Sequence, residues 1–335
     1  MVPNERKQEI LALHADARWG SPYWAEVFAR RGLTPADVLA DPRAAGLMDS
    51  EAMRRRPYTD FVPRRLLEAG VRLVTSETSG LTGKPIVTVF TEAEFHAGFV
   101  EPFVRRAEAV GFPLRARWLY AGPSGPHAIG KAVREILRAV GGLDPFSVDF
   151  DPRWFRRLPE GSVSRDRYLD HIEAQVMDVF ETQPVDVLFT TPPVVRRVAA
   201  RLPAARRAEL RGLHYGGIGM TADEYREFRE AFPNAVHLHG YGNSMFGVFV
   251  ETGFHAEAGI EYGTDSPRVE VELVSERDGR LVPCAVGEVG RVMLARFDES
   301  YLILNHLERD LATRTAAGLI DPHSPSRELN RKIIY

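Results

Sequence analysis

The spacing of apolar positions divides the chain into a helical lead-in followed by a long alternation of helices and strands. Residues 1–70 read as helices with polar interruptions, and Thr34-Pro35-Ala36-Asp37 joins an N-cap residue to a proline at the first helical position. Residues 71–75 and 86–90 are short β-branched runs joined by a polar loop, which predicts strand, loop, strand. Phe95, Phe99, Phe103 and Val110 give residues 92–111 helical spacing, and a strand is expected at 117–120. Helices are then predicted at 128–140, 168–180, 192–202 and 222–232, the last opened by the capping-box spacing of Thr221 and Glu224. Between them 185–189 and 236–238 read as strands, and 209–215 leads to Gly216-Gly217. Residues 268–274 and 289–295 add a β-rich portion with a hairpin signal at Asp278-Gly279. This succession argues an α/β fold with a substantial sheet, without internal repeats.

Composition narrows the class. The 335 residues are 44% hydrophobic and 27% charged, which excludes collagen, disorder and disulfide scaffolds. The single cysteine, Cys284, rules out an intramolecular disulfide and a cysteine zinc cluster, so a reducing, cytoplasmic setting is expected. No segment has signal-peptide character or the ~20 apolar residues of a membrane helix. The net charge of -3 hides a skew, because Lys7, Lys84, Lys131 and Lys332 are the only lysines. The arginine runs at 54–56 and 64–65 are diluted by acids, so neither a nucleic-acid nor a membrane partner is expected.

The most informative segment is Thr75-Ser76-Glu77-Thr78-Ser79-Gly80-Leu81-Thr82-Gly83-Lys84-Pro85. Hydroxyls, glycine amides and one lysine at a turn between strands suit a bound anion, naturally a phosphate. It is not a Walker A loop: Thr78 stands where the first glycine belongs, and Pro85 follows the lysine. His237 and His239 have a spacing compatible with metal binding, with His214 as a third candidate, or they serve only as the entry to a loop.

The loop resembles the TSGTTGKP signature of adenylate-forming enzymes, particularly phenylacetate-coenzyme A ligase relatives and acyl-protein synthetases. Further segments resemble that family's motifs in order: Asp186-Val187-Leu188-Phe189-Thr190-Thr191-Pro192-Pro193, Gly216-Gly217-Ile218-Gly219-Met220-Thr221, His239-Gly240-Tyr241-Gly242-Asn243-Ser244-Met245, Val286-Gly287-Glu288-Val289-Gly290 and Asn305-His306-Leu307-Glu308-Arg309-Asp310. The resemblance implies that Thr78, Ser79, Gly80, Thr82, Gly83 and Lys84 hold ATP phosphates. It implies that Gly216, Gly217, Ile218, Tyr241 and Gly242 surround the adenine, and that Asp310 holds the ribose. Tyr241 in a glycine-flanked loop offers a ring face to a base, or is a core tyrosine. Asp310 before a short helix also reads as a cap. His127 is similar to the family's HxxG histidine bordering the acyl pocket, or is simply a helix N-terminal residue; beside a carboxylate it would orient the nucleophile. Tyr120, His127, Gly217 and Gly242 are the expected acyl-pocket contacts, although aromatic residues in a strand are more often core. Ser244, with His127, is the expected catalytic pair.

By this resemblance the fold is the large N-terminal domain of adenylate-forming enzymes, with helices around β-sheets and a smaller β-rich subdomain. Its divisions are 1–70 as helical lead-in, 71–265 as nucleotide- and acyl-binding core, 266–315 as β-rich subdomain and 316–335 as a short tail. The cofactors implied are ATP and Mg²⁺. The family's magnesium glutamate is replaced by Met245, whose thioether is no hard-oxygen ligand, and Glu251 is the substitute nearby. Too few residues follow Asp310 for the family's mobile terminal domain, and Lys332 has no motif to stand for its lysine. The expected function is ATP-dependent activation of a carboxylic acid, aromatic or small, as an acyl-adenylate. The acyl group then passes to a thiol, a partner protein or another nucleophile, with a partner protein also able to supply the missing portion. The alternative is a degenerate nucleotide-binding or scaffold protein without turnover. On the sequence alone, Met245→Glu is expected to improve magnesium-dependent turnover.

Overall fold

The computed structural model describes residues 1–80 and 83–325. Capping chemistry sets several helix starts. Thr34 accepts the Asp37 N–H while Asp37 reaches back, with Pro35 opening the helix Pro35–Ala40. Thr221 and Glu224 form the same reciprocal pair at Ala222–Ala231, and the helix Ala128–Val140 stops at Gly141, whose φ of 68° is left-handed. No helix among the described residues is long and apolar enough to cross a membrane.

The strands in chain order are β1 (Leu73–Glu77), β2 (Val87–Thr91), β3 (Trp118–Gly122), β4 (Phe146–Asp149), β5 (Val187–Thr190), β6 (Gly212–Gly216), β7 (Val236–Asn243), β8 (Gly247–His255), β9 (Gly259–Gly263), β10 (Val269–Arg277), β11 (Arg280–Pro283), β12 (Val289–Phe297), β13 (Leu302–Arg314) and β14 (Leu319–His323). They fall into two compact units.

The first unit comprises Met1–Gly98, Ser244–Gly247 and Asp265–Ala316. It holds the antiparallel pair β1-β2 and four antiparallel strands ordered β11-β10-β12-β13. The β10-β11 turn is Asp278-Gly279, both at positive φ as a type I′ turn requires. Phe61 stacks on Tyr301, and Trp24 Nε1 donates to the Leu302 carbonyl at 2.9 Å, which fixes the lead-in helices on β13. Beneath β2, the fully buried Arg296 donates to the Val89 carbonyl at 2.6 Å and shares Asp298 with Arg268. Burial pushes the Asp298 carboxyl up, but Arg296 and Arg268 outweigh it and hold it below the ordinary carboxylate range.

The second unit comprises Phe99–Asn243, Val248–Thr264 and Ala317–Tyr335, within which residues to 325 are described. Its strands run β14-β9-β8-β7-β6-β5-β3-β4, with β7, β6, β5, β3 and β4 mutually parallel. All residues of β3 and β5 are buried, as expected of central parallel strands. Phe103, Phe112, Trp118, Phe189 and Leu238 form the core beside them, joined by Ile136 and Leu137 from Ala128–Val140.

Three expectations change. The single helix over 92–111 is interrupted: Glu92–Phe95 and Glu101–Ala109 flank a π-helical turn at His96–Val100. Pro102 has no N–H to donate back along the helix, so the ladder must re-register before it. β7 continues to Asn243, so Tyr241 is a strand residue and not a loop residue. Residues 305–310 lie within β13 and precede no helix, so Asp310 is not a cap. Asn305 takes a φ of +51° at an irregularity in the β12-β13 register and donates to the Pro42 and Gly46 carbonyls at 2.7 and 2.9 Å.

Candidate functional site

The predicted phosphate loop springs from a short antiparallel hairpin in the first unit. Its last ladder pair is Glu77 with Val87, after which Thr78 and Ile86 close the base. The Thr78 N–H donates to the Ile86 carbonyl at 3.0 Å, and the Ile86 N–H donates to Thr78 Oγ1 at 2.9 Å. Gly80 has φ 71° and Gly83 φ 143°, conformations that a side chain would strain. A Cβ at Gly80 would lie 3.1 Å from Pro85 Cγ and 3.2 Å from the Gly83 carbonyl oxygen, so the turn is also tight. Ser79 is half-buried and Lys84 is exposed at the turn's exit. Thr82 lies outside the described residues. Backbone amides at glycine and one exposed ammonium are a fitting cradle for a phosphate.

Ser244 is tied to this hairpin. Its hydroxyl donates to the Glu77 carbonyl at 2.8 Å, and its own carbonyl accepts from Thr88 Oγ1 at 2.8 Å. The seryl proton is therefore engaged in holding 244–247 against β1 and β2. Met245 is 4% exposed, and its carbonyl accepts from Arg296 Nη1 at 2.9 Å. Asp310, half-buried on β13 in the same unit, has Oδ1 3.9 Å from Arg309 Nε.

The predicted adenine residues lie in the second unit, at the ends of β6 and β7. Gly216 pairs with Gly240, and a Cβ at Gly216 would stand 2.8 Å from the Gly240 carbonyl oxygen. Gly217 follows at φ 78°, exposed, with Ile218 half-buried. Tyr241 and Gly242 are half-buried. The Tyr241 ring is braced by Tyr262 at 5.9 Å and Phe249 at 6.1 Å, both tilted. No sequence motif marks Tyr262. It donates or accepts at His239 Nδ1 at 2.6 Å, a contact spanning 23 residues that no local pattern signals.

His127 is buried and precedes the first turn of Ala128–Val140. Tyr120 is 4% exposed, its ring in the core and its hydroxyl donating to the Pro123 carbonyl at 2.7 Å.

The histidine pair takes structural partners. His237 Nδ1 meets Tyr215 Oη at 3.0 Å and His239 Nδ1 meets Tyr262, while His214 lies 4.0 Å from the Phe189 ring centroid. Burial pushes His214 and His239 down to about 3 and His237 to about 4. Glu251, the candidate magnesium ligand, accepts from Tyr225 Oη at 2.9 Å and from the His239 N–H at 3.0 Å. Burial raises its carboxyl, against these two hydrogen bonds. Among the described residues no group of three or more His, Cys, Asp or Glu is placed to hold a metal ion. The carboxylate of Glu251, already accepting two hydrogen bonds, thus does not fit Mg²⁺.

No protein-family profile and no curated protein matches the sequence. Solved structures do. The ATP-bound RpMatB-BxBclM chimera B1 is 16% identical over 74% of this chain and 46% of that chain, with a TM-score of 0.50. ATP-bound MatB from Rhodopseudomonas palustris is 16% identical over 74% of this chain and 47% of its own, at 0.46. PA1221, an NRPS protein containing adenylation and PCP domains, is 18% identical over 75% and 50%, at 0.47. The chain spans about half the length of these structures. The first superposition, with the mixed sheets and their covering helices, gives the conclusion that the chain has the fold of the large N-terminal domain of adenylate-forming enzymes.

Proposed function

We propose that the chain activates a carboxylic acid at the expense of ATP, forming an acyl-adenylate whose acyl group passes to a thiol, a partner protein or another nucleophile. The observation that carries this reading is the β1-β2 hairpin, whose turn sets glycines at positive φ beside an exposed lysine in a chain of this fold. Gly80, Gly83 and Lys84 would hold the phosphates, with Thr78 and Ser79 at the turn's entrance. Gly216, Gly217, Ile218, Tyr241 and Gly242 would receive the base, and Asp310 the ribose hydroxyls. ATP supplies the α-phosphoryl group and pyrophosphate as leaving group. The protein's part is alignment and charge neutralisation. His127, beside the first turn of Ala128–Val140, would orient the carboxylate, helped by the positive end of that helix. Ser244, fixed on Glu77, serves the hairpin's placement.

Calorimetric titration with ATP, for the wild type and for Tyr241→Ala, tests the nucleotide part. Binding that weakens about fivefold or more on loss of the ring supports it, since a base stack contributes ~1–3 kcal/mol. Equal affinities would remove Tyr241 from the site. A second reading, nucleotide binding without turnover, is favoured by one observation: Met245 is buried where the family pattern has its metal carboxylate, and Glu251 is committed to Tyr225 and His239.

A further inference from the structure

The face of β7 that carries Tyr241 also carries His239, since side chains two residues apart on a strand point the same way. Tyr262 of β9 touches both. Its hydroxyl meets His239 Nδ1 at 2.6 Å, and its ring lies 5.9 Å from that of Tyr241. Nε2 of His239 has no hydrogen-bond partner among the described residues, so Tyr262 alone among them holds the imidazole by hydrogen bonding. The partner of Tyr262 in the β8-β9 register is Glu251, whose carboxylate accepts from the His239 N–H at 3.0 Å and from Tyr225 Oη at 2.9 Å. His239 is thereby held twice, by its backbone on Glu251 and by its ring on Tyr262. These residues all belong to the second unit. Tyr225, His239, Glu251 and Tyr262 are at most 7% exposed, whereas Tyr241 is half-buried.

We propose that the Tyr262–His239 hydrogen bond sets the Tyr241 ring for the base of the bound nucleotide, with Tyr262 and His239 as positioning residues that act through Tyr241. The inference rests on the nucleotide reading above and adds two residues that no motif supplies. Its physical motive is preorganisation. A tyrosine that must be ordered when the base arrives gives up part of the stacking free energy as lost side-chain freedom, whereas a ring already braced does not. Phenylalanine at position 262 would fill the same space. A buried hydroxyl there is tolerable only because it is bonded, and that bond fixes how the Tyr262 ring lies against Tyr241. The hydrogen bonds through Glu251 to Tyr225 extend the same constraint into the helix Ala222–Ala231, and linked buried polar groups of this kind rigidify what they join.

The test is titration of the full chain with ATP, with thermal midpoints measured in parallel, for wild type, Tyr241→Ala, Tyr262→Phe, Tyr215→Phe and the double variant Tyr241→Ala with Tyr262→Phe. Tyr262→Phe keeps the ring and loses the hydroxyl, and it is expected to weaken ATP roughly threefold to tenfold. Added to Tyr241→Ala it is expected to cost nothing further, because the ring through which it acts is gone. Tyr215→Phe is the control: it breaks another buried tyrosine–histidine hydrogen bond, to His237 Nδ1 at 3.0 Å, and should lower the midpoint while leaving ATP affinity at the wild-type value. His239→Asn, whose amide comes near the position of Nδ1, should keep most of the affinity, and His239→Gln, whose amide comes near that of Nε2, should not. That pair decides the matter if Tyr262→Phe does not fold, and equal affinities for the two would overturn the proposal. Wild-type affinity in Tyr262→Phe, an equal loss in Tyr215→Phe, or the full loss repeated in the double variant would also overturn it while leaving Tyr241 in the nucleotide site. A wild type that does not bind ATP, or Tyr241→Ala binding as tightly as wild type, would overturn the nucleotide reading and the proposal with it.

Discussion

Lys84 is the residue on which the phosphate assignment turns. It is exposed and follows a glycine at φ 143°, so truncation removes charge without opening a cavity. Lys84→Ala is expected to weaken ATP roughly tenfold at low salt while leaving the denaturation midpoint in place; the gap to wild type should narrow as salt is raised. Calorimetry at two ionic strengths checks both parts, and unchanged affinity would remove Lys84 from the site. Met245 yields the opposite kind of prediction. From the sequence alone a glutamate there restores the family's metal ligand, but the residue is 4% exposed and its carbonyl accepts from the buried Arg296. Met245→Glu therefore replaces a buried thioether by a carboxylate that must be desolvated, and a loss of stability of about 1–4 kcal/mol is expected instead of a gain in turnover. Urea denaturation decides it: a variant as stable as wild type would show that this position opens to solvent or metal.

Glycine at the junction of β6 and β7 acts at the level of the element. Gly216→Ala sets a methyl 2.8 Å from the Gly240 carbonyl, a backbone atom that cannot swing aside. The ladder between β6 and β7 must part there, and a cost of about 1–3 kcal/mol is expected together with weakened ATP binding, read from denaturation and titration of one preparation. Full stability and affinity would mean that the strands are not closely apposed. Elements specified by neighbours in sequence were legible in advance: the Thr34 and Thr221 caps, the helix Ala128–Val140 and the Asp278-Gly279 turn. Those specified across the chain were not. β7 runs on through Tyr241 because Gly240 finds Gly216, and Asp310 stays extended because β13 pairs with β12. The same distinction holds within the site. The segment 78–85 announces itself by glycines and hydroxyls, whereas Tyr262 meets His239 and Tyr241 through contacts that only the folded chain creates.

Across the whole molecule the buried histidines set a pH dependence. Burial pushes His214 and His239 to about 3, and His14 and His237 to about 4, below the ordinary value near 6.5. The unfolded chain then binds more protons than the folded one between those limits. Stability is complete above about pH 6.5 and falls as the pH is lowered through this window, each histidine contributing up to ~1.4 kcal/mol per unit. Chemical denaturation at pH 7.5 and 5.0 should show a marked loss, and equal stabilities would contradict the burial of these rings as neutral groups. Central to the account is that the chain uses its nucleotide to activate an acid, and the most direct measurement is acid-dependent exchange of labelled pyrophosphate into ATP. Run with a panel of aryl and short-chain carboxylic acids, the account predicts exchange with at least one of them and none without acid. ATP binding with no exchange for any acid, in a chain stable under the assay conditions, would contradict acid activation and leave nucleotide binding alone.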